Sequence, residues 1–388
     1  MRRAEHRARC GAQGFRRIVL PDSGLCRGEP WSVFDRTIPL LADLLAPLEE
    51  VRSVDVRQLQ RDELIASGCR ALMFRSTLRV RRELLEGAPI EFLGSVTSGC
   101  DHIAPEILAD PHYRVALAAG ANANAVAEYV LASILLWNAQ QNIPLRRCSL
   151  GIVGFGNIGR RVAEYCHELG MEIVTNDPPL VEQGFEFPPY VRVASLTALL
   201  AESSVITVHV PLVQGGKYPT VRLLRQAQLQ QSAAQLIIQT SRGGVIVERA
   251  LLERSRSGVA VAVDVWEREP DVSPTLARRA LLATPHIAGH SINAKLAASL
   301  KIAEQYFAFR NERFEPPPLP LPQRIRLSSI RRPEQALALL LRSRQFDADH
   351  RWLRSILPER RSERIAAIEH FRTTYPERTE VFCTSYDT

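Results

Sequence analysis

Three polar side chains stand where strands are predicted to end in the second half of the chain, and their types suit proton transfer on an anionic substrate. Arg242 lies in Thr-Ser-Arg-Gly, Glu269 in Glu-Arg-Glu-Pro, and His286 in Thr-Pro-His. A guanidinium can bind a carboxylate through two parallel hydrogen bonds. An imidazole can take a proton near neutral pH, and a neighbouring carboxylate can orient it and favour its charged form. Because the carboxyl ends of parallel strands surround one crevice, the three groups are expected to meet there.

A glycine-rich turn earlier in the chain predicts what accompanies these groups. Residues 150–153 are typical of a short buried strand, and a helical pattern follows the turn. In G-x-G-x-x-G the first glycine allows a tight turn, the second lets the backbone approach a pyrophosphate, and the third lets helix and strand pack closely. The helix N-terminus also offers N–H groups and a positive dipole end. The sequence therefore predicts a dinucleotide site on Gly154, Phe155, Gly156, Asn157, Ile158 and Gly159.

The residue after the next predicted strand indicates which dinucleotide binds. Residues 172–176 are typical of a strand, and Asp177 follows it. An acidic residue about 20 positions beyond the glycines is suited to the ribose hydroxyls of NAD. Pro178 and Pro179 come next, with no adjacent arginine for a 2′-phosphate. NAD is therefore favoured over NADP.

With a dinucleotide as hydride acceptor, the three polar groups fit the oxidation of a 2-hydroxy acid. Arg242 would bind the carboxylate, His286 would take the hydroxyl proton, and Glu269 would orient the imidazole. Each residue alone has a plainer explanation: a solvated arginine, a capping or core histidine, a Glu-Pro that ends an element. The glycine turn alone could be a relic of a nucleotide site. Their order along one chain favours the enzyme.

Composition excludes several classes of protein. The chain is 46% hydrophobic, as in ordinary globular proteins, and its net charge of +7 comes from dispersed arginines rather than a nucleic-acid motif. Seven cysteines without a C-x-x-C pair predict reduced thiols and neither a disulfide framework nor a metal site. Residues 126–137 are too short an apolar stretch for a membrane span, and the Arg-rich start has no apolar segment of a secretory signal. We expect a cytoplasmic protein without metal, membrane or nucleic-acid partners.

The order and wording of the motifs resemble the D-isomer-specific 2-hydroxyacid dehydrogenase family. The matching segments are G-I-V-G-F-G-N-I-G, S-R-G-G, D-V-W-E-R-E-P and P-H-I-A-G. The resemblance implies that Arg242, Glu269 and His286 are catalytic. It also implies further contacts with NAD from Val210, Thr240, Asp264 and Gly289. Of these residues, Asp264 would lie near the nicotinamide.

The elements around the motifs predict the fold class. Strands and helices alternate before the glycine turn, as in a parallel α/β unit: a strand at 18–20, a helix at about 34–45, a strand at 51–56, a helix near 61–67, and strands at 71–74 and 91–93. The late glycine turn means that another unit precedes the cofactor domain. With the family resemblance, this predicts an α/β protein in which a Rossmann-type dinucleotide-binding domain is inserted into a smaller flavodoxin-like substrate domain, followed by a small α+β C-terminal domain.

The predicted domain boundaries follow from this fold class and from a proline-rich stretch. Glu-Pro-Pro-Pro-Leu-Pro-Leu-Pro begins at position 315 and cannot continue a helix. The prediction is a disordered extension at 1–16, a substrate-binding domain at 17–120 and 290–314, an NAD-binding domain at 121–289, a linker at 315–329, and a C-terminal dimerisation-like domain at 330–388.

A narrower resemblance is to the branch of the family that oxidises 4-phospho-D-erythronate in pyridoxal phosphate synthesis. It is carried by residues 73–77, 94–102, 122–130, 176–179 and 371–378. It implies that Ser76 and Thr97 contact the phosphorylated 2-hydroxy acid and that the chain forms a homodimer through its C-terminal domain. Loop capping is the plainer role for Ser76 and Thr97.

Three positions depart from that branch. Ala119 replaces a usual Pro before Gly120, Val210 replaces a Thr beside the cofactor, and His290 replaces a Tyr that reaches the substrate. His290 could donate to a phosphate or cap the next helix. These departures leave two alternatives: a dehydrogenase of phosphoglycerate, lactate or glyoxylate, and a non-catalytic protein that senses dinucleotide.

Overall fold

The computed structural model describes residues 31–141, 143–319 and 321–387. The predicted extension at 1–16 and the predicted strand at 18–20 lie outside the described residues. The described chain folds into two parallel-sheet units and a C-terminal module, and the predicted fold class is confirmed.

The first unit is a five-stranded parallel sheet with the order β2-β1-β3-β4-β5, which is the flavodoxin-like order. Its strands are β1 (Ser32–Asp35), β2 (Arg52–Val54), β3 (Ala71–Phe74), β4 (Phe92–Ser95) and β5 (Arg114–Leu117). Its helices are α1 (Leu41–Leu45), α2 (Arg61–Ser67), α3 (Arg82–Leu85) and α4 (Pro105–Ala109). The sheet lies between two apolar clusters, one on each face.

The helix predicted at about 34–45 is wrong over its first residues. Ser32–Asp35 form β1, which pairs with both β2 and β3, and the helix begins only at Leu41. All four residues of β1 are buried, so no apolar–polar alternation marks the strand in the sequence.

The second unit is a seven-stranded parallel sheet with the order β12-β11-β10-β9-β6-β7-β8. Its strands are β6 (Ser149–Val153), β7 (Glu172–Asn176), β8 (Val191–Val193), β9 (Val205–Val208), β10 (Leu236–Gln239), β11 (Ala260–Val263) and β12 (Leu282–Ala283). Its helices are α6 (Asn157–Glu168), α7 (Pro178–Glu182), α8 (Leu196–Glu202), α9 (Gln226–Gln230), α10 (Glu248–Arg256) and α11 (Pro274–Arg279). The direction of winding reverses between β6 and β9, where ligands bind in sheets of this kind.

Two long helices join the units. The connection runs from the first sheet to the second through α5 (Ala123–Gln141) and returns through α12 (Ile292–Phe309). A Cβ added at Gly94 in β4 would lie 2.8 Å from Ile302 in α12, so the glycine lets the returning helix sit close to the first sheet. The second unit is thus inserted into the first.

The C-terminal module comprises residues 325–387. It contains β13 (Ile325–Arg326), α13 (Pro333–Arg344), α14 (Phe346–Ile356), α15 (Arg361–Thr373) and β14 (Phe382–Cys383), and β13 pairs with β14 in parallel. Its apolar side chains join the clusters on both faces of the second sheet. Within the described ranges, no helix is long and apolar enough to span a membrane, and no group of three or more acidic, His or Cys side chains is arranged to hold a metal ion.

Candidate functional site

His286 and Glu269 form a hydrogen-bonded pair at the carboxyl end of the second sheet. His286 follows β12 with a left-handed backbone (φ 59°), and its N–H donates to the Asp264 carbonyl at 2.7 Å. Its Nδ1 lies 2.6 Å from Glu269 Oε2, and the side chains are 33% and 24% exposed. An ionised carboxylate can only accept, so Nδ1 carries the proton and Nε2 keeps its lone pair. The pair is therefore set to take a proton at Nε2.

The environment of Glu269 keeps its carboxylate ionised. Burial raises its pKa, but the charge and hydrogen bond of His286 outweigh burial, with help from the Trp266 N–H and the charge of Arg372, so the pKa ends below its ordinary value. An ionised Glu269 favours the imidazolium that forms when His286 takes a proton.

Asp264 holds the turn that carries His286. Its buried carboxylate accepts the Thr284 hydroxyl at 2.6 Å and the N–H groups of Ile287 and Ala288 at 2.8 and 3.0 Å. Burial raises the pKa of Asp264, and these bonds oppose that shift. The observed contacts give Asp264 a structural role, while its contact with nicotinamide stays a prediction.

Arg242 follows β10 and reaches across to the first unit. Its Nε donates to Asp101 Oδ2 at 3.0 Å, its Nη1 donates to the Ser241 carbonyl at 2.9 Å, and its Nη2 lies where a Cβ on Gly99 would stand. Asp101 was not singled out from the sequence, although it lies in the 94–102 segment. Arg242 therefore lies at the interface between the two units, close to the Thr97–Asp101 loop.

The predicted substrate residues Ser76 and Thr97 follow neighbouring strands of the first sheet. Phe74 of β3 pairs with Ser95 of β4, so Ser76 and Thr97 both lie just beyond the carboxyl ends of these neighbouring strands. Ser76 is exposed. Thr97 is half-buried, 2.7 Å from the Ser95 hydroxyl, and donates to the Gly99 carbonyl at 3.1 Å. The structure thus brings Thr97 beside the loop that Arg242 contacts, while the substrate contacts themselves stay predictions.

His290 lies between the His286 turn and the C-terminal module. Its ring meets Tyr375 edge-on at 5.4 Å, and within the described residues its buried Nδ1 has no hydrogen-bond partner. Burial, then the charge of Arg372, holds its pKa well below the ordinary value, so the ring is neutral. Ser291, not His290, caps α12 by accepting the Ala294 N–H at 2.9 Å. Of the two roles weighed for His290, the structure gives the capping role to its neighbour.

The glycine turn has the shape that a pyrophosphate requires. Gly154 adopts φ 94°, and Gly159 packs directly on the Gly154 carbonyl, where a Cβ would collide. A Cβ on Gly156 would meet no atom within 4 Å, and Gly156 begins α6 without a side-chain cap, which leaves the first N–H groups of the helix for an anion. Phe155 is buried, and Asn157 and Ile158 form the first turn of α6. These residues fit a dinucleotide.

The other predicted cofactor residues surround this turn. Asp177 accepts the Phe155 N–H at 2.7 Å and the Leu180 N–H at 3.1 Å, and it lines a shallow cavity of about 270 Å³ with Pro178 and Val193. This cavity suits the adenosine end of a dinucleotide. Val210 packs beside Gly154, Thr240 is buried at the end of β10, and Gly289 packs against the Asn122 amide.

His209 is a half-buried histidine that was not predicted from the sequence. Its Nε2 lies 2.9 Å from the Thr207 hydroxyl and its Nδ1 lies 3.4 Å from that of Thr240. Burial lowers its pKa to about 3, so the ring stays neutral beneath the crevice. The signal in the sequence that could have indicated His209 is its position directly before Val210, a predicted cofactor residue.

Gly156 and Gly159 make a matched test of the cofactor site. We expect Gly156→Val to change the melting temperature only slightly, because a Cβ at this position would meet no atom within 4 Å, but to weaken NAD binding about 10-fold or more by blocking the pyrophosphate. Gly159→Ala should instead lower the melting temperature, because its Cβ would collide with the Gly154 carbonyl. Calorimetric NAD titration and thermal unfolding would measure both. Unchanged NAD affinity in Gly156→Val would contradict the predicted pyrophosphate position.

Comparison with known proteins agrees with this geometry. The family model described as D-isomer specific 2-hydroxyacid dehydrogenase, NAD binding domain, matches residues 115–288. Two solved structures share the fold: a D-lactate dehydrogenase from Aquifex aeolicus complexed with NAD and lactic acid (TM-score 0.58, 22% identical, covering 72% of this chain and 95% of that one), and an NAD-bound 3-phosphoglycerate dehydrogenase of Entamoeba histolytica (TM-score 0.59, 20% identical, covering 73% and 96%). The family model, which describes an NAD-binding domain, confirms the predicted cofactor, NAD.

Curated relatives match across most of the chain. The erythronate-4-phosphate dehydrogenase of Pseudomonas entomophila (strain L48) is 37% identical over 365 residues, covering 90% of this chain and 92% of the relative. That of Proteus mirabilis (strain HI4320) is 34% identical over 299 residues, covering 76% of each chain. With the NAD-binding turn and the His286–Glu269 pair in place, the chain belongs to the erythronate-4-phosphate dehydrogenases, NAD-dependent oxidoreductases of the D-isomer-specific 2-hydroxyacid dehydrogenase family.

Proposed function

We propose that this protein oxidises 4-phospho-D-erythronate at C2 to 2-oxo-3-hydroxy-4-phosphobutanoate, with NAD as acceptor, in pyridoxal phosphate synthesis. The observation that carries the proposal is the His286–Glu269 pair, whose proton position leaves Nε2 as the base. The extent of the match to erythronate-4-phosphate dehydrogenases supports the substrate.

The side chains divide the reaction between binding and proton transfer. Arg242 binds the C1 carboxylate through its guanidinium, after its contact with Asp101 is exchanged or shared. His286 Nε2 takes the C2 hydroxyl proton, and Glu269 stabilises the resulting imidazolium through Nδ1. When bound, NAD supplies the acceptor for the C2 hydride. Asp264 keeps the His286 backbone in place throughout, because it accepts hydrogen bonds from the same turn.

The polar groups of the first unit suit the rest of the substrate. Ser76 and Thr97 place hydroxyl groups beyond the carboxyl ends of β3 and β4, near the loop that Arg242 contacts. His290, four positions after His286, has a buried Nδ1 without a hydrogen-bond partner within the described residues. We assign Ser76, Thr97 and His290 to the hydroxyl and phosphate oxygens of the substrate. The resemblance of residues 371–378 to the C-terminal domain of that branch of the family supports a homodimer. The biosynthetic role supports a cytoplasmic location.

Substrate comparison tests the proposal. We expect NAD reduction with 4-phospho-D-erythronate to have kcat/KM at least about 100-fold above that with D-3-phosphoglycerate, D-lactate or glycolate, because unmatched polar groups in a site built for a longer anion cost transition-state binding. Initial rates at 340 nm with each acid, repeated with NADP as the cofactor control, would measure this. A higher kcat/KM on phosphoglycerate would establish the alternative dehydrogenase, and NAD binding without turnover of any acid would favour a sensing protein.

A further inference from the structure

The C-terminal module places a cation beside the carboxylate that orients His286. Arg372 lies in the last turn of α15, and its Nη1 is 3.7 Å from Glu269 Oε2. The same oxygen accepts from His286 Nδ1 at 2.6 Å, and Oε1 accepts the Trp266 N–H at 3.0 Å. Glu269 is therefore held at three points, one of which comes from the C-terminal module.

A fixed cation at this point answers a requirement of the reaction. His286 must be neutral before it takes the substrate proton, and a neutral imidazole gives Glu269 no counter-charge. Glu269 is mostly buried, which disfavours its ionised form. A guanidinium stays charged at every working pH, so Arg372 can balance Glu269 while His286 is neutral.

We propose that Arg372 is a positioning residue, which holds the ionised Glu269 against His286 Nδ1 and so makes the C-terminal module part of the catalytic apparatus. The expected effect of Arg372 on turnover rests on the function proposed above. The expected effect on the titration of His286 in the free enzyme is independent of that function.

The other charged and titratable groups facing His286 in the described structure come from three elements. Asp264 follows β11 and accepts three hydrogen bonds, Glu269 lies in the segment before α11, and His290 lies before α12. Within the described residues Arg372 makes no hydrogen bond to any of these three side chains, and its contact with them is the 3.7 Å ion pair with Glu269. A change in the His286 titration after substitution of Arg372 therefore reports on the Arg372 charge.

Histidine NMR of the free enzyme tests the electrostatic part. We expect Arg372→Met to move the His286 titration midpoint up by about 0.5 pH unit or more, because removal of a nearby cation favours imidazolium. Arg372→Lys should restore most of the midpoint, since it keeps the charge. Arg342→Met, at an exposed position of α13, serves as the matched control and should not shift it. His286→Asn would assign the resonance. No shift in Arg372→Met, or an equal shift in the control, would overturn the proposal.

Kinetics tests the positioning part. Arg372→Met should lower kcat about 10-fold with KM changed less than about 2-fold, and should move the acid limb of the kcat profile to higher pH, because an orienting partner acts through the base. A rise in KM with unchanged kcat would place Arg372 on the substrate phosphate and overturn the positioning role. If the wild-type enzyme does not turn over phosphoerythronate, the proposed function fails, while the NMR titration still decides the role of Arg372.

Discussion

Replacement of His286 by asparagine is expected to lower kcat by about 10²–10⁴-fold, the contribution of a positioned general base. Asparagine keeps a polar side chain of similar reach on the left-handed backbone at this position, which asparagine tolerates well. The NAD dissociation constant should change less than about 2-fold, because the glycine turn and Asp177 lie on a different part of the sheet. Rates at 340 nm and calorimetric NAD titration would measure the two effects. Wild-type activity in His286→Asn would refute the assignment of the base.

The pH profile separates the roles of His286 and Glu269. Oxidation should rise with pH from the acid side, because only neutral imidazole takes the proton. The pKa of Glu269 is lowered, so the carboxylate is already ionised there and adds no limb of its own. Glu269→Gln removes the charge that favours imidazolium, so the acid limb should move to lower pH while kcat falls. Glu267→Gln, at an exposed acid two residues earlier, is the control. An unmoved limb in Glu269→Gln would count against the pairing.

Local signals in the sequence predicted the elements that carry the chemistry. Residues 71–74 and 172–176 were predicted as strands and are strands, because short apolar runs with clear boundaries leave few alternatives. The glycine turn was predictable for the same reason, since G-x-G-x-x-G between a strand and a helix has few other uses. These features need no knowledge of distant parts of the chain.

The parts that the sequence did not predict depend on contacts between distant segments. Arg242 meets Asp101 across 141 positions, and Arg344 meets Glu128 across 216. Neither contact follows a helical or strand period, so no pattern predicts it. Glu128 lies within the apolar stretch at 126–137, and no motif marks it in the sequence. In the structure it lies on the buried face of α5, where its partners come from the C-terminal module.

The Arg344–Glu128 pair joins that module to the NAD-binding unit. Both side chains are fully buried, and Arg344 Nη1 donates to Glu128 Oε2 at 2.6 Å. Glu128 Oε1 accepts the N–H groups of Val381 and Phe382 at 2.5 and 2.8 Å. Arg344 Nη2 donates to the Ala288 carbonyl and, at the same 3.2 Å, to that of His290. The pair thus also anchors the turn that follows His286.

Arg344→Met is expected to lower the free energy of unfolding by about 3–5 kcal/mol, because it leaves the buried Glu128 carboxylate without its cation. Arg342→Met, two positions earlier and exposed, should change it by less than about 0.5 kcal/mol. Urea unfolding followed by circular dichroism would measure both variants. A loss in Arg344→Met no larger than in this control would mean that the pair adds nothing to stability.

The pH dependence of this loss identifies its cause. Burial raises the pKa of Glu128, and the charge of Arg344 opposes that shift. Without Arg344 the folded-state pKa rises further above the unfolded value, so the folded protein binds a proton more tightly than the unfolded chain and stability falls as pH rises. The deficit of Arg344→Met should therefore be smaller near pH 5 than near pH 8, and Glu128→Gln in the same background should remove most of that difference. A deficit independent of pH would attribute the loss to packing rather than to the buried charge.

Since Arg344 also holds the Ala288 carbonyl, kcat should fall at pH 8 even where the variant is folded, which would make the C-terminal module a support of the catalytic turn.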